Sequence, residues 1–376
     1  MDNNGTLSFL AFARERAEML YNKGSWRNWR KYCGFINKLE EFKVSINTPD
    51  FSFDDITVEF LIKFDDFLHK WENRHEPGKL LHPNTIAIQF VILKALVHRA
   101  IEIGVMDPGK NPFLRFKYKG VKTVREKLTE SDMKQIHSLQ LTPGTTLWHC
   151  RNYFLFSYYC AGIRASDLIQ LRWLNITENG RLHYQMGKNH KDRDLVLVKQ
   201  ALEILNMYKT NTVLPQHYIF PLLDNNAPYA KFVTQADRDR MKPDLRHKLY
   251  IDLSSRNAFI NRNLRKIGIM ANIKTKLTMH ISRHAFAHIA MEAGAEPSAI
   301  KDILGHSNLA TTERYMGSFD TSRTDFTLMN LFRENSDDTH VINLNSTYSS
   351  KEAKAIALLK SMTSKQIMNV IEALFK

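Results

Sequence analysis

The sequence is poor in cysteine, in long apolar runs and in negative charge, and each shortage excludes something. Its 376 residues hold three cysteines, Cys33, Cys150 and Cys160. They are odd in number and have no metal-ligand spacing, which fits a reducing cytoplasm. No window approaches the ~18 uninterrupted apolar residues of a transmembrane helix. The N-terminus, MDNNGTLSFLAFARERAEML, lacks a basic leader followed by an apolar core, so no signal peptide is expected. No internal repeat or low-complexity segment is evident. Acidic residues number 39 against 53 Lys and Arg, a formal charge of +14. That excess favours a polyanionic partner, most often nucleic acid, over the plainer alternative of a solvated basic surface.

What the sequence does contain is a normal apolar fraction, 43%, on a chain long enough for two domains with a core each. The chain divides near residue 108. Before it, helical signals repeat. SWRNWRKYCGFINKLEEF starts at Ser25, a good N-cap, with Trp29, Cys33, Ile36 and Leu39 at helical spacing. PNTIAIQFVILKALVHRAIEIG opens on Pro83, suited to a first helical turn, and closes at Gly104 ahead of Pro108. With LSFLAFARERAEMLY and TVEFLIKFDDFLHKW this makes about four helices and no strand pattern. The region is a small all-α domain. Arg27, Arg30 and Lys31 cluster near one helix start, beside Trp26, where they could meet a phosphate backbone. Equally, the aromatics could be core and the basic residues merely solvated.

Between Lys110 and Lys127 stand seven Lys or Arg and one Glu, including Lys117, Lys119 and Lys122, interleaved with Phe113, Phe116 and Tyr118. This reads as a linker, over 108–127, that can follow a phosphate backbone. LTESD then caps the first helix of a second domain. That domain mixes types. Two strand-like runs, Leu182–Met186 and Asp194–Val198, flank a polar, Gly-containing turn, and helical runs follow. The last stretch is amphipathic, with Ile356, Leu359, Ile367, Val370, Ile371 and Leu374 at helical spacings behind a polar segment.

Five short motifs in this second domain carry chemistry. AGIRASDL sets Arg164 in a Gly-containing turn before a helix, where its guanidinium fork suits a phosphate. GKNHKDRD sets Lys188 at the tip of the hairpin, where a flexible ammonium could deliver a proton, although most turn lysines are only solvated. HISRHAFAH sets His280 and Arg283 three apart on one helix face. LGH sets His306 at a helix–loop junction, and Tyr315 follows nine residues later. A rival lies in the same segment: His280, His284 and His288 recur every four residues and could form a metal stripe. His280 is followed by Ile281, not by the Glu of HExxH, and no carboxylate cluster is near, so His284 and His288 read as packing or hydrogen-bonding residues.

Taken in order, these residues resemble the tyrosine recombinases, also called phage integrases, over about residues 7–335. HISRHAFA and LGHSNLATTERYMG are similar to integrases of Bacteroides-type mobile elements. The resemblance implies a mainly α fold with a small β-sheet. A helical, SAM-like core-binding domain (1–107) and an α+β catalytic domain (128–335) would form a clamp around DNA, followed by a tail over 336–376. Many relatives carry a further arm-binding domain ahead of the core-binding helices, with which this sequence almost directly starts.

The resemblance also implies a division of roles. Tyr315 would be the nucleophile, Arg164 and Arg283 the clamp on the non-bridging oxygens, and His306 a further hydrogen-bond donor. His280 would take the Tyr proton or orient the phenol, and Lys188 would protonate the leaving 5′ oxygen. No metal or other cofactor is implied. The partners would be double-stranded DNA and further copies of the chain, in a tetrameric synapse assembled from a chain that can be monomeric in solution. Accessory DNA-bending proteins are also compatible, and a membrane is not implied. Localisation would be the cytoplasm, at the nucleoid. Asp167 stands where the family often has Glu, and Asn189 where Thr is common. A relaxing enzyme of the type IB topoisomerase kind shares the chemistry without partner exchange. A catalytically dead relative is disfavoured because all six residues are intact.

Overall fold

The computed structural model describes residues 8–72, 78–121 and 127–305. Lys122, His306, Tyr315 and the tail therefore lie outside the described residues. Those described hold twelve α-helices and one two-stranded antiparallel sheet, the mainly helical fold expected.

Four helices open the chain: α1 (Phe9–Asn22), α2 (Trp26–Ser45), α3 (Val58–Lys70) and α4 (Pro83–Glu102). The side chains of Ser8 and Thr57 accept hydrogen bonds from Ala11 and Phe60 and so cap α1 and α3. Ser25 holds the N-cap position of α2, but its hydroxyl makes no capping bond. Pro83 sits in the first turn of α4, and Gly104 ends the region with φ +77°. The core is largely phenylalanine. Phe42 lies 5.2–6.0 Å, centroid to centroid, from the rings of Phe51, Phe60, Phe64 and Phe67. Burying each such ring contributes about 1.5–3 kcal/mol. By length and composition α4 could cross a membrane, with a mean hydropathy of 1.3 over its best window. Here Ile86, Phe90, Leu93, Leu96 and Val97 of α4 face this core.

The basic segment after α4 is docked on the same core. Two 3-10 turns, Pro108–Lys110 and Pro112–Leu114, lead into an extended stretch. Phe116 and Tyr118 pack on Phe90, at 5.1 and 4.9 Å. Alternation along an extended chain then turns Lys117 and Lys119 outward, and both are exposed.

A second core gathers α5 (Glu130–Ser138), α6 (Thr146–Tyr159), α7 (Ala165–Ile169), α8 (Lys199–Asn206), α9 (Gln235–Asp239), α10 (Pro243–Met270), α11 (Met279–Glu292) and α12 (Pro297–Leu304) around strands β1 (Arg181–Gln185) and β2 (Asp192–Val196). Thr129 and Asp132 form a reciprocal capping box at α5, as LTESD implies. α6 is the central helix: every side chain from Asn152 to Ser157 is buried, because α8, α10 and α11 surround it. Both strands begin and end earlier than the alternation suggests. Met186 N–H donates to Lys191 and His190 N–H donates to Met186, so the turn already starts at Met186. Val198 serves as N-cap of α8, which stops β2 at Val196. The register pairs Tyr184 with Arg193, and both point inward.

The two cores meet through an aromatic contact. Trp26, at the start of α2, is buried against His247 and Tyr250 of α10, with centroids 5.0 and 5.3 Å away. Arg27, Arg30 and Lys31 beside it are exposed. The ring is thus committed to packing while the cations stay available to solvent.

Candidate active site

Arg164, Lys188 and Arg283 come from three distant segments, and the fold ties those segments to one another. Arg164 is the N-cap residue of α7, held half-buried at the end of the turn Cys160–Ile163. That turn needs Gly162. Its φ is +65°, and a Cβ there would lie 2.6 Å from the Cα of Arg283. The glycine lets α11 approach until Arg283 Nη1 donates to the Gly162 carbonyl at 2.9 Å. Ser157 and Ser282 bond at 2.6 Å deep between α6 and α11, and Ser157 also donates to the Ile163 carbonyl at 2.9 Å. Sequence distance is therefore cancelled by one buried hydroxyl pair and one glycine.

The hairpin is fastened to the same place. Arg164 Nη1 approaches Met186 Sδ at 3.1 Å, two residues before Lys188. Asp167, one turn along α7, accepts from the Gly187 amide at 3.2 Å. Asp167 is 6% exposed, and its Oδ2 has no hydrogen-bond partner among the described residues. Burial raises its pKa, opposed by the Gly187 amide and by the charges of Arg164 and Arg283. This carboxylate is the acidic counterweight in a cluster of three guanidiniums, since Arg193 also lies buried here, 6% exposed. Lys188 itself is exposed and makes no hydrogen bond or ion pair with a described residue.

Arg283 is 4% exposed, and its second terminal nitrogen, Nη2, donates to the carbonyl of Leu304. The end of α12 is thereby drawn to the site, and His306 is the second residue beyond Leu304. His280, three residues before Arg283 on α11, is exposed, and its ring meets His284 edge-on at 4.5 Å. His288 is half-buried, 3.4 Å from Glu292. Burial holds its pKa below the ordinary histidine value, with Lys127 lowering it further and Glu292 opposing. Among the described residues no group of three or more His, Cys, Asp or Glu is placed to hold a metal.

Several residues of this frame lie inside the quoted motifs, but their roles are not legible there. Gly162, Asn189, Arg193 and Gly305 act through contacts across more than 100 residues or across the hairpin, which spacing along the chain does not encode. Asp167 is visible in the sequence only as an acid one turn after Arg164. Arg193 had one usable signal: in a strand that starts at Asp192, alternation puts a charged residue on the inward face.

Comparison with known proteins covers both helical cores. Residues 126–321 match the model of the phage integrase family, and residues 8–119 match that of the phage integrase SAM-like domain. Tyrosine recombinase XerD of Staphylococcus aureus is 31% identical over 157 residues, 42% of this chain and 46% of that protein. XerD of Agrobacterium fabrum is 29% identical over 159 residues, 42% of this chain and 45% of that protein. The chain spans about half the length of the curated relatives it matches. Among solved structures, the Tn1549 transposon integrase with transposon right end DNA aligns with a TM-score of 0.57 at 16% identity, covering 86% of this chain and 99% of that one. A lambda integrase dimer bound to a COC′ core site aligns at 0.55 and 15% identity, over 90% of this chain and 100% of that one. At these identities the likeness is one of fold.

Proposed function

The chain belongs to the phage integrase family, and we propose that it is a site-specific recombinase that cleaves and rejoins DNA through a 3′-phosphotyrosine intermediate. The observation that carries this reading is the shared frame of Arg164, Arg283 and the Lys188 turn. Two guanidiniums and an ammonium, 119 residues apart at their extremes (283 − 164), are fastened within hydrogen-bond contacts of one another's segments. A scissile phosphodiester is an anion whose transition state gathers more negative charge. Fixed N–H donors aimed at that charge are each worth about 2.7–4 kcal/mol.

In this mechanism the Tyr315 oxygen attacks phosphorus and the bond to the 5′ oxygen breaks. The phenol proton passes to His280, and Lys188 protonates the departing 5′ oxygen. Arg164, Arg283 and His306 hold the non-bridging oxygens. The phosphoester bond energy is kept in the phosphotyrosine. Attack by a 5′ hydroxyl from a partner strand therefore reverses the step and rejoins DNA without ATP. The setting is the nucleoid of a bacterial cytoplasm. The test is covalent capture. The wild-type chain, expressed with the DNA element that encodes it, is extracted under denaturing conditions and the attached DNA is sequenced. Recovery of one recurrent junction with protein on a 3′ phosphate supports the reading, and protein-free DNA overturns it. The flanks of that junction also separate inversion, marked by inverted repeats around a promoter, from integration and excision.

The helical region, with Arg27, Arg30, Lys31 and the segment carrying Lys117, Lys119 and Lys122, would form the second arm of a clamp on the duplex. Affinity for the site should then fall steeply with salt, with a log–log slope near −0.9 per phosphate neutralised. Replacing Lys117, Lys119 and Lys122 together with Ala should flatten the slope by roughly three such steps. An unchanged slope in a salt titration would put this segment off the DNA.

The tail is assigned to assembly. Its Ile, Leu and Val positions at helical spacing need burial, worth about 1.5–3 kcal/mol each, and a neighbouring copy of the chain on DNA would supply it. Deleting residues from Ser349 onward should keep binding of one copy to a half-site. It should weaken cooperative filling of a full site and reduce strand exchange. A truncated chain that assembles and recombines normally on native gels would refute that assignment.

A further inference from the structure

The last backbone carbonyls of a helix lack intrahelical partners and must find them elsewhere. At the end of α12 they are met by side chains from the candidate site. Asp302 O receives Gly305 N–H at 2.9 Å and lies 3.5 Å from Arg193 Nη1. Leu304 O receives Arg283 Nη2. Gly305 O receives Asn189 Nδ2 at 3.1 Å. Two of the three side-chain donors, Asn189 and Arg193, belong to the hairpin that carries Lys188.

The steric fit points the same way. Gly305 has φ +65°, and a Cβ there would overlap Met186 Cε, stand 3.1 Å from Met186 Sδ and 3.6 Å from Arg193 Nη1. A glycine at this position therefore does two things. It lets the chain leave α12 in the left-handed conformation, and it leaves room for the Met186 side chain of the hairpin against the helix end. Lys188, by contrast, is exposed and bonded to no described residue. A four-carbon ammonium arm cannot fix its own position. The turn that bears it is fixed by its neighbours, Gly187 on Asp167 and Asn189 on Gly305.

We propose that Asn189 and Gly305 form a latch that docks the Lys188 turn on the C-terminal end of α12, so that Asn189 is a positioning residue for Lys188. Because His306 follows Gly305 directly, the latch joins the segment of the leaving-group acid to the segment that leads to the nucleophile. The part of this inference that concerns catalysis rests on the role given to Lys188 above; the docking itself does not.

Asn189→Asp tests it with little change of shape, since it removes the donor and sets a carboxylate against a carbonyl. Gly305→Ala tests it from the other side. Hydrogen exchange reads the docking directly. Amides of the 186–191 turn and of residues 302–305 should exchange faster in both variants, with the thermal transition nearly unmoved in Asn189→Asp. Unchanged exchange at the turn overturns the latch. Single-turnover cleavage of a nicked duplex reads the consequence. Asn189→Asp should slow cleavage of the ordinary phosphodiester about 10–100-fold, somewhat less than the 10²–10⁴-fold expected on losing the acid. On a 5′-bridging phosphorothiolate, whose thiolate leaves without a proton, the defect should shrink to about threefold or less. An equal defect on both substrates overturns the positioning role. Lys188→Ala run in parallel keeps the two questions apart. If it too is not rescued by sulfur, the acid assignment fails, and faster exchange in Asn189→Asp still establishes the latch.

Discussion

Tyr315→Phe should abolish covalent attachment to a nicked duplex site while leaving affinity for that site nearly unchanged. The substitution keeps the ring and removes one hydroxyl. Binding is carried by many phosphate contacts, each contributing a small share, so one lost hydroxyl is a minor term there. The chemistry has no such redundancy. A phenol with a pKa near 10 is mostly protonated at neutral pH, and it becomes a nucleophile only with a base beside it and positive charge at the phosphate. Without the oxygen there is no atom to form the ester bond. A denaturing gel with end-labelled DNA gives the result directly: a slow-moving protein–DNA band in the wild type and none in the variant. Beyond residue 305 the sequence has one other tyrosine, Tyr348. A surviving adduct whose peptide maps to Tyr348 would transfer the nucleophile there, and an adduct on a residue other than tyrosine would discard the tyrosine mechanism.

Residue spacing made the outline of this site readable. Arg164, Lys188, His280 and Arg283 stand out because the proposed chemistry would use those side-chain types in that order, and local context decides their elements. Gly162 and Pro83 are similarly local: a glycine before Arg164 marks the turn, and a proline marks a first helical turn. What the sequence left hidden is what depends on distance. Nothing near Gly162 announces that its missing Cβ makes room for the backbone of Arg283, 121 residues away (283 − 162). Nothing near Asn189 announces Gly305. Trp26 looked equally suited to core or to DNA, and only the position of His247 and Tyr250 assigns it to packing. The strand limits shifted for a related reason. Alternation continued through Val198, but the backbone of Val198 was already needed to begin α8.

The two arginines offer the other large effect, and they should differ in kind. Arg283→Lys and Arg164→Lys both keep the charge and lose the planar fork, so each should slow single-turnover cleavage by about 10²–10³-fold, the cost of one fixed donor in such a site. Their effects on stability should separate. Arg283 is 4% exposed and bridges two carbonyls, Gly162 O and Leu304 O, which belong to different segments. A lysine carries its N–H donors on one nitrogen and lacks the planar fork that reaches both carbonyls from Nη1 and Nη2, so it meets one well and leaves the other at longer reach. Leaving the other buried carbonyl unmet costs roughly 1–3 kcal/mol. For a region of this size that corresponds to a fall in Tm of about 2–4 °C per kcal/mol. Arg164 is half-buried, and among the described residues its guanidinium hydrogen-bonds to a thioether sulfur, a weak acceptor. Arg164→Lys should therefore change stability by no more than the ~0.5 kcal/mol typical of a site without such features, with a correspondingly small shift in Tm. Thermal melts and cleavage rates on the same two preparations decide the matter. Equal losses of Tm would mean that Arg164 also holds the turn together. A normal cleavage rate in Arg164→Lys would remove it from the phosphate and leave it the charge partner of the buried Asp167 carboxylate.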